Sequence, residues 1–337
     1  MCLTWQTPAV DPGPAPSPDD AARTEALNPG DEPTTLSRRS RRERAGSSYP
    51  ALLGVLALSW GSSYLFIKIG VATLPPLSLV AGRLFVGLAV LLVVAGITRT
   101  PFPRDRRTVG GLAVLGAVNI AIPFWLIGWA EQHITSGLTG ILQSTSPFFT
   151  LVLAATFLHD ERVTRGRVTG IALGFLGIFV LSANDLADVA SAAGAKRLLA
   201  ELAVVLASLA YGTGNTFARR ALRDTRPLVL ATGQVGWAFA MIVGLAFLVD
   251  GGITVPAVPE AALAVAWLGA VGTGFAYVVY FRLLAGWGPT RTSLVAYLLP
   301  VVAVLLGIVV LGETVDATFL AGAAFIVAGI WVVNRRG

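Results

Sequence analysis

The chain has one cysteine, Cys2, and two histidines, His133 and His159. A single thiol excludes an internal disulfide framework, and two separated histidines exclude a zinc-type cluster. No metal and no cofactor are therefore expected. Charge is also scarce. Only 13% of the 337 residues are Asp, Glu, Lys or Arg, against about 25% in a soluble domain. The sequence holds no G-x-x-x-x-G-K-S/T phosphate loop and no G-x-S-x-G elbow. ATP-driven pumping and serine hydrolysis thus lack their machinery, and no enzyme is expected. The net charge of +6 points to no nucleic-acid partner, because the basic residues fall in short stretches between apolar ones.

What is abundant is apolar sequence. Hydrophobic residues make up 55% of the chain, and the mean hydropathy is +0.72. Ten apolar spans are expected near 51–70, 77–97, 109–130, 137–158, 167–183, 198–218, 227–249, 261–283, 291–311 and 316–333. Most have the roughly 20 residues needed to cross the hydrocarbon core. Helix is the expected conformation, because lipid offers no partner to an open backbone amide. Glycine and alanine recur in every span, which suits close helix packing in lipid. Residues 1–48 are polar, rich in Pro, Asp and Ser, and end in Arg38, Arg39, Arg41, Arg42 and Arg44. This tail is expected to be disordered and cytoplasmic. The first apolar stretch begins too late and runs too long for a signal peptide.

Two stretches are versions of each other: Gly137–Ser182 and Thr290–Asn334. Pro147 and Pro300 are 153 residues apart; Glu161 and Glu313 are 152 apart, as are Gly170 and Gly322, and Gly177 and Gly329. Upstream, Trp60-Gly61-Ser62 matches Tyr211-Gly212-Thr213 at 151, and Gly116-Ala117-Val118 matches Gly269-Ala270-Val271 at 153. One unit is used twice. The domains read as a tail (1–48), a first repeat (49–184) and a second (185–337). Every second connection carries arginines, as in Arg104, Arg106 and Arg107 or Arg219, Arg220, Arg223 and Arg226; the opposite connections hold Asp185, Asp188, Asp250, Glu260, Glu313 and Asp316, with only Lys196 and Arg197. That bias places both termini in the cytoplasm. Five spans per repeat is odd, so the second copy enters from the opposite side. The fold class is an all-α integral membrane protein of two inverted five-helix repeats, an architecture of secondary transporters.

The pieces WGSSYLFIKIG at 60–70, PLSLVAGRLFVGLAVLL at 76–92, the run Trp129–Glu161 and the later YLLPVVAVLLGIVVLGE resemble the EamA-type branch of the drug/metabolite transporter superfamily. The resemblance covers about residues 50–335. It implies a ten-helix bundle with a central cavity, and export of amino acids, related compounds or drugs across the plasma membrane by alternating access. The partners it implies are a small-molecule substrate and the lipid bilayer, with the protein a monomer or a homodimer. The second half departs from the first in lacking a proline mate for Pro123 and in having Gln234 where the first has Arg83. A membrane sensor or scaffold that keeps the fold without transport is the alternative. A polar, aromatic-lined centre would favour transport and a leucine-filled one the scaffold.

Charges within spans are costly and face a bundle interior or water. Arg83 lies roughly 10 Å below the external surface, at about 1.5 Å per residue. It either locks helices together or receives a substrate carboxylate. Lys68 can snorkel to the interface, and Glu131 and Glu201 are candidate proton sites or partners for Lys68. Trp60, Ser63 and Tyr64 share a helix face with Ile67, at i, i+3, i+4, i+7 spacing. Tyr211 and Trp237 fall at mid-span rather than at the interfaces that aromatics usually mark. With Asn119, Gln143, Asn215, Gln234, Tyr277 and Tyr297, they form the expected cavity lining. Ser144 and Ser146 are further polar groups at depth. Pro147 and Pro300 each stand near a midplane. There they serve as a static kink or as the hinge of a broken helix.

Overall fold

A computed structural model describes the backbone of residues 35–158 and 164–335, with side chains over 49–158, 164–288 and 291–333. Most of the tail expected to be disordered, together with His159 and Glu161, lies outside the described residues. From Thr35 the backbone is already helical and runs on into the first span. Among the described residues ten main helices follow: α1 (Thr35–Val71), α2 (Pro76–Ile97), α3 (Arg106–Ala130), α4 (Ser136–Phe157), α5 (Arg165–Leu181), α6 (Ala192–Ala221), α7 (Pro227–Val249), α8 (Pro259–Trp287), α9 (Val295–Leu311) and α10 (Ala317–Arg335). Six spans are long and apolar enough to cross a membrane by length and composition alone: Tyr49–Val71 within α1, and α2, α3, α4, α7 and α8. Helices α5 and α9 have 17 residues each, about 25 Å of helix.

Local chemistry sets the helix starts. Proline opens α2, α7 and α8, where its missing N–H would have no partner anyway. Side-chain oxygens of Asp105, Thr135, Thr164 and Ser191 accept the first free N–H groups of α3, α4, α5 and α6. Helix α9 ends at Gly312, with φ of 66°, a left-handed turn that glycine adopts without steric penalty.

Two departures from simple helices recur at the same repeat position. Helix α3 contains a π-helical turn at Ala117–Ala121 and α8 one at Ala270–Phe275. Each inserts one extra residue per turn. In α8 the hydroxyl of Thr273 donates to the Leu268 carbonyl at 2.9 Å. The expected proline kinks are not matched in this way. Helix α4 is interrupted at Ser144 and Thr145, whose hydroxyls bond back to Ile141 and Leu142. Pro147 then opens its second half. Pro300 instead lies inside a continuous α9.

The two repeats pack as an exchanged pair. Helices α5 and α10 cross antiparallel on glycines. A Cβ built on Gly170 would lie 2.6 Å from the Gly329 carbonyl, and one on Gly177 would lie 2.7 Å from that of Gly322. Since Gly170 is the mate of Gly322 and Gly177 of Gly329, each contact is the other with the repeats swapped. Gly61 closes on Val302, and its mate Gly212 closes on Phe149, the mate of Val302. Gly269 sits against Arg83 and Val86, and Gly116 against their mates Gln234 and Trp237. A pseudo-two-fold relation therefore holds at three interfaces, the self-complementary pattern of a two-fold contact. Large apolar side chains such as Phe85, Phe247 and Leu248 remain exposed.

The two ends of the bundle differ. Residues 136–145 of α4 are buried apart from a half-buried Leu138. Their mates near α9 include exposed Arg291, Ser293, Leu294 and Leu298. Residues 61–71 of α1 include none that is exposed, whereas their α6 mates include exposed Thr213, Asn215 and Arg220. One end, marked by Glu313, is closed, and the other, marked by Asn215, is loose.

Candidate substrate site

The deep polar residues meet where second helices cross the π turns of the opposite repeat. Arg83 of α2, 6% exposed, donates from Nε to Oγ1 of Thr273 in the α8 turn at 3.0 Å. Its guanidinium also lies 3.9 Å over the ring of Phe124 in α3, within cation–π range. The mate of Arg83, Gln234 of α7, docks on the other π turn. Asn119 Nδ2 donates to Gln234 Oε1 at 2.9 Å, and Gln234 Nε2 reaches the Tyr277 hydroxyl at 3.5 Å. Small residues allow this approach. A Cβ on Gly272 would come within 2.9 Å of Ser63 Oγ; in the mated contact Asn119 replaces Gly272 and Gly214 replaces Ser63, and a Cβ on Gly214 would come within 2.7 Å of Asn119 Cβ.

Aromatic rings frame the polar pair. Trp60 meets Tyr277 edge-on, with centroids 6.4 Å apart, and Tyr280 at 5.5 Å. Tyr277 stacks on Phe281 at 5.9 Å. Such contacts add to simple burial. Tyr64 is buried beside Gly140 at the seam with α4, and Tyr211 packs partly buried against the main core. The centre of the bundle is thus aromatic and polar.

Residues 49–183 and 198–335 both match the EamA-like transporter family. The chain belongs to the EamA-like transporter family. Among its relatives is a "Probable amino-acid metabolite efflux pump" of Salmonella typhimurium, 29% identical over 84% of this chain and 92% of the relative. Another is the "Uncharacterized inner membrane transporter YedA" of Escherichia coli K12, 30% identical over 78% and 83%. A "Probable terminal-alkyne amino-acid exporter" of Streptantibioticus cattleyicolor is 29% identical over 84% and 92%. A solved crystal structure 22% identical superposes with a TM-score of 0.59, covering 86% of this chain and 99% of that one. That likeness concerns the fold. The protein is a multi-pass membrane transporter, and its family is not one of enzymes.

In this EamA-like transporter, Trp60, Ser63, Arg83, Asn119, Gln234 and Tyr277 lie in one region of the bundle. Other expected lining residues lie elsewhere. Trp237 is 41% exposed and borders a lateral apolar groove of about 370 Å³ with Leu88, Phe102 and Leu112. Its ring therefore lies on an outward face of the bundle. The Tyr297 hydroxyl donates to the Ile330 carbonyl of α10 at 3.1 Å, which ties α9 to α10. Gln143 is buried with Oε1 unpartnered. Asn215 is exposed at the loose end, although its mate Tyr64 is buried. Sequence reasoning missed Thr273, Phe124 and Tyr280. A threonine between two glycines and two ordinary apolar-span aromatics carry no polar signal of their own.

Proposed function

We propose that this transporter exports amino-acid-like, carboxylate-bearing metabolites across the plasma membrane by alternating access, with both termini cytoplasmic. The single observation behind the reading is the state of Arg83. It is buried at the junction of the repeats, yet among the described residues only its Nε is hydrogen-bonded, to Thr273. A guanidinium binds a carboxylate through two parallel N–H donors, and here the outer edge of the fork is the part left over. Trp60 and Tyr277 on adjoining helices supply amphipathic faces for a substrate side chain. The names of the relatives given above favour amino-acid metabolites.

The test is efflux from vesicles across a panel of amino acids and their carboxamide analogues, with and without a proton gradient. Arg83→Lys should fold and express normally. It should lose affinity for carboxylates by about tenfold or more, because an ammonium cannot reproduce the bidentate geometry. Carboxamides should change little. Equal loss for both classes, in a protein that is itself destabilised, would leave Arg83 as a lock between helices.

A further inference from the structure

The closed end holds a second cluster that the substrate site does not use. Glu313, in the turn after α9, accepts the N–H groups of Ser136 at 2.7 Å and Gly137 at 2.9 Å. A carboxylate of the second repeat thus caps α4 of the first, at a helix end that favours negative charge. Gly312, left-handed, turns the chain so that the Glu313 N–H returns to Gly307. Lys68 of α1 pins the same connection, donating to the carbonyls of Glu131 at 2.6 Å and Ile134 at 2.8 Å. The carboxyl of Glu131 lies among these groups, fully buried, and among the described residues neither of its oxygens has a hydrogen-bond partner. The Lys68 ammonium is therefore committed to backbone oxygens, and the carboxyl is shut away from solvent. An isolated ionised carboxylate is not tolerated in such surroundings and takes a proton instead.

We propose that Glu131 is a proton-binding site that locks the Glu313 end shut. The closed end holds Glu131 as the neutral acid. Opening the seam admits water, Glu131 ionises, and Lys68 exchanges a carbonyl for the new carboxylate. Closing takes one proton from the water at that end, and opening returns it there. Acid on that side, the external side in the topology proposed above, therefore favours the state open at the Asn215 end.

The ionisable groups around Glu131 are Lys68 and Tyr64 from α1, Arg83 from α2, and Glu313 after α9. Glu201 of α6 lies instead with Asp185 and Arg197. His133 shares the connection, and burial, with Lys196 and Lys68, holds its imidazole below the usual range. The rivals differ in sign or in residue. Protonating Glu313 would weaken its cap and open the seam in acid, opposite to the effect of Glu131. A histidine switch would follow His133.

Ser136→Cys, in a Cys2→Ser background, reports on the seam. The hydroxyl it replaces is buried and unpartnered, and the site lies beside Glu313. Labelling by a water-soluble maleimide is measured in purified protein at about pH 6 and about pH 9. It is referenced to Ala190→Cys, which is exposed at the same end. The expected referenced rate rises with pH by about tenfold or more, because one linked proton shifts an equilibrium about tenfold per pH unit across its titration. Glu131→Gln should hold it low at both values, Glu131→Asp should restore the dependence, and His133→Gln should leave it unchanged. The infrared carbonyl band of a protonated carboxylic acid should vanish in Glu131→Gln. The proposal is overturned by equal pH dependence in Glu131→Gln, by loss of it in His133→Gln, by faster labelling in acid, or by no missing band. None of these readouts needs a substrate, so their failure is distinct from failure of the efflux assay.

Discussion

Arg83 engages Thr273 through Nε, which leaves most of the five guanidinium donors for something else. Its rotamer is set from two sides, by that hydrogen bond and by the Phe124 ring at 3.9 Å. Thr273 is in turn held by the carbonyl that the π turn exposes at Leu268. In the proposed site it would act on the substrate through Arg83, as a positioning residue. Hydrogen bonds to charged groups contribute about 1.5–3 kcal/mol, so Thr273→Val should lower thermal stability and loosen the guanidinium. The expected result is a loss of about tenfold in carboxylate affinity, with rescue by Thr273→Ser, which keeps the hydroxyl. Equal affinity in the valine and serine variants would remove Thr273 from the site.

At the scale of helices, part of the architecture was legible beforehand and part was not. The ten spans and the repeat follow from apolar length and glycine spacing, because burial in lipid demands both. The glycine mates Gly170, Gly177, Gly322 and Gly329 are also the residues on which α5 and α10 close. The π turns were not legible. An inserted residue leaves an apolar run apolar, and Ala117–Ala121 and Ala270–Phe275 carry no mark of it. Trp237 and Tyr297 lie apart from the Arg83 cluster for a related reason: depth along a helix is readable from sequence, but the facing direction of one ring is not. The prolines read alike in sequence and differ in structure. Pro300 leaves the Ala296 carbonyl without its helical donor inside a continuous α9, whereas Pro147 stands at the start of a new segment after a break. If these sites bend during transport, Pro300→Ala should restore the bond and slow turnover by about tenfold with affinity little changed. Pro147→Ala should have the smaller effect, since a first-turn proline leaves no helical bond unmade. An unaltered transport rate in the double variant would leave the prolines a packing role only.

For the whole molecule, the decisive relation is that the glycine contacts between the repeats are mated at three interfaces, while the two ends do not look alike. Two halves that share one fold and are inverted in one membrane can be closed at either end, and the structure has one end closed and the other loose. The pairing of Glu313 with α4 belongs to the closed end, and its repeat mate Glu161 lies outside the described residues. Which water each end meets depends on orientation, which the arginine bias alone predicts. Single cysteines in a Cys2→Ser background decide it. Ser191 would be a poor choice, because its hydroxyl caps α6 by accepting the Gly194 N–H; the neighbouring Ala190 is exposed and caps nothing. Ser40 lies within the run of arginines that precedes the first span. In intact cells an impermeant thiol reagent should modify Ala190→Cys, and should reach Ser40→Cys only after the membrane is permeabilised. Labelling of Ser40→Cys alone would invert the protein. The Glu313 end would then face the cytoplasm, and the proton held by Glu131 would report internal rather than external pH.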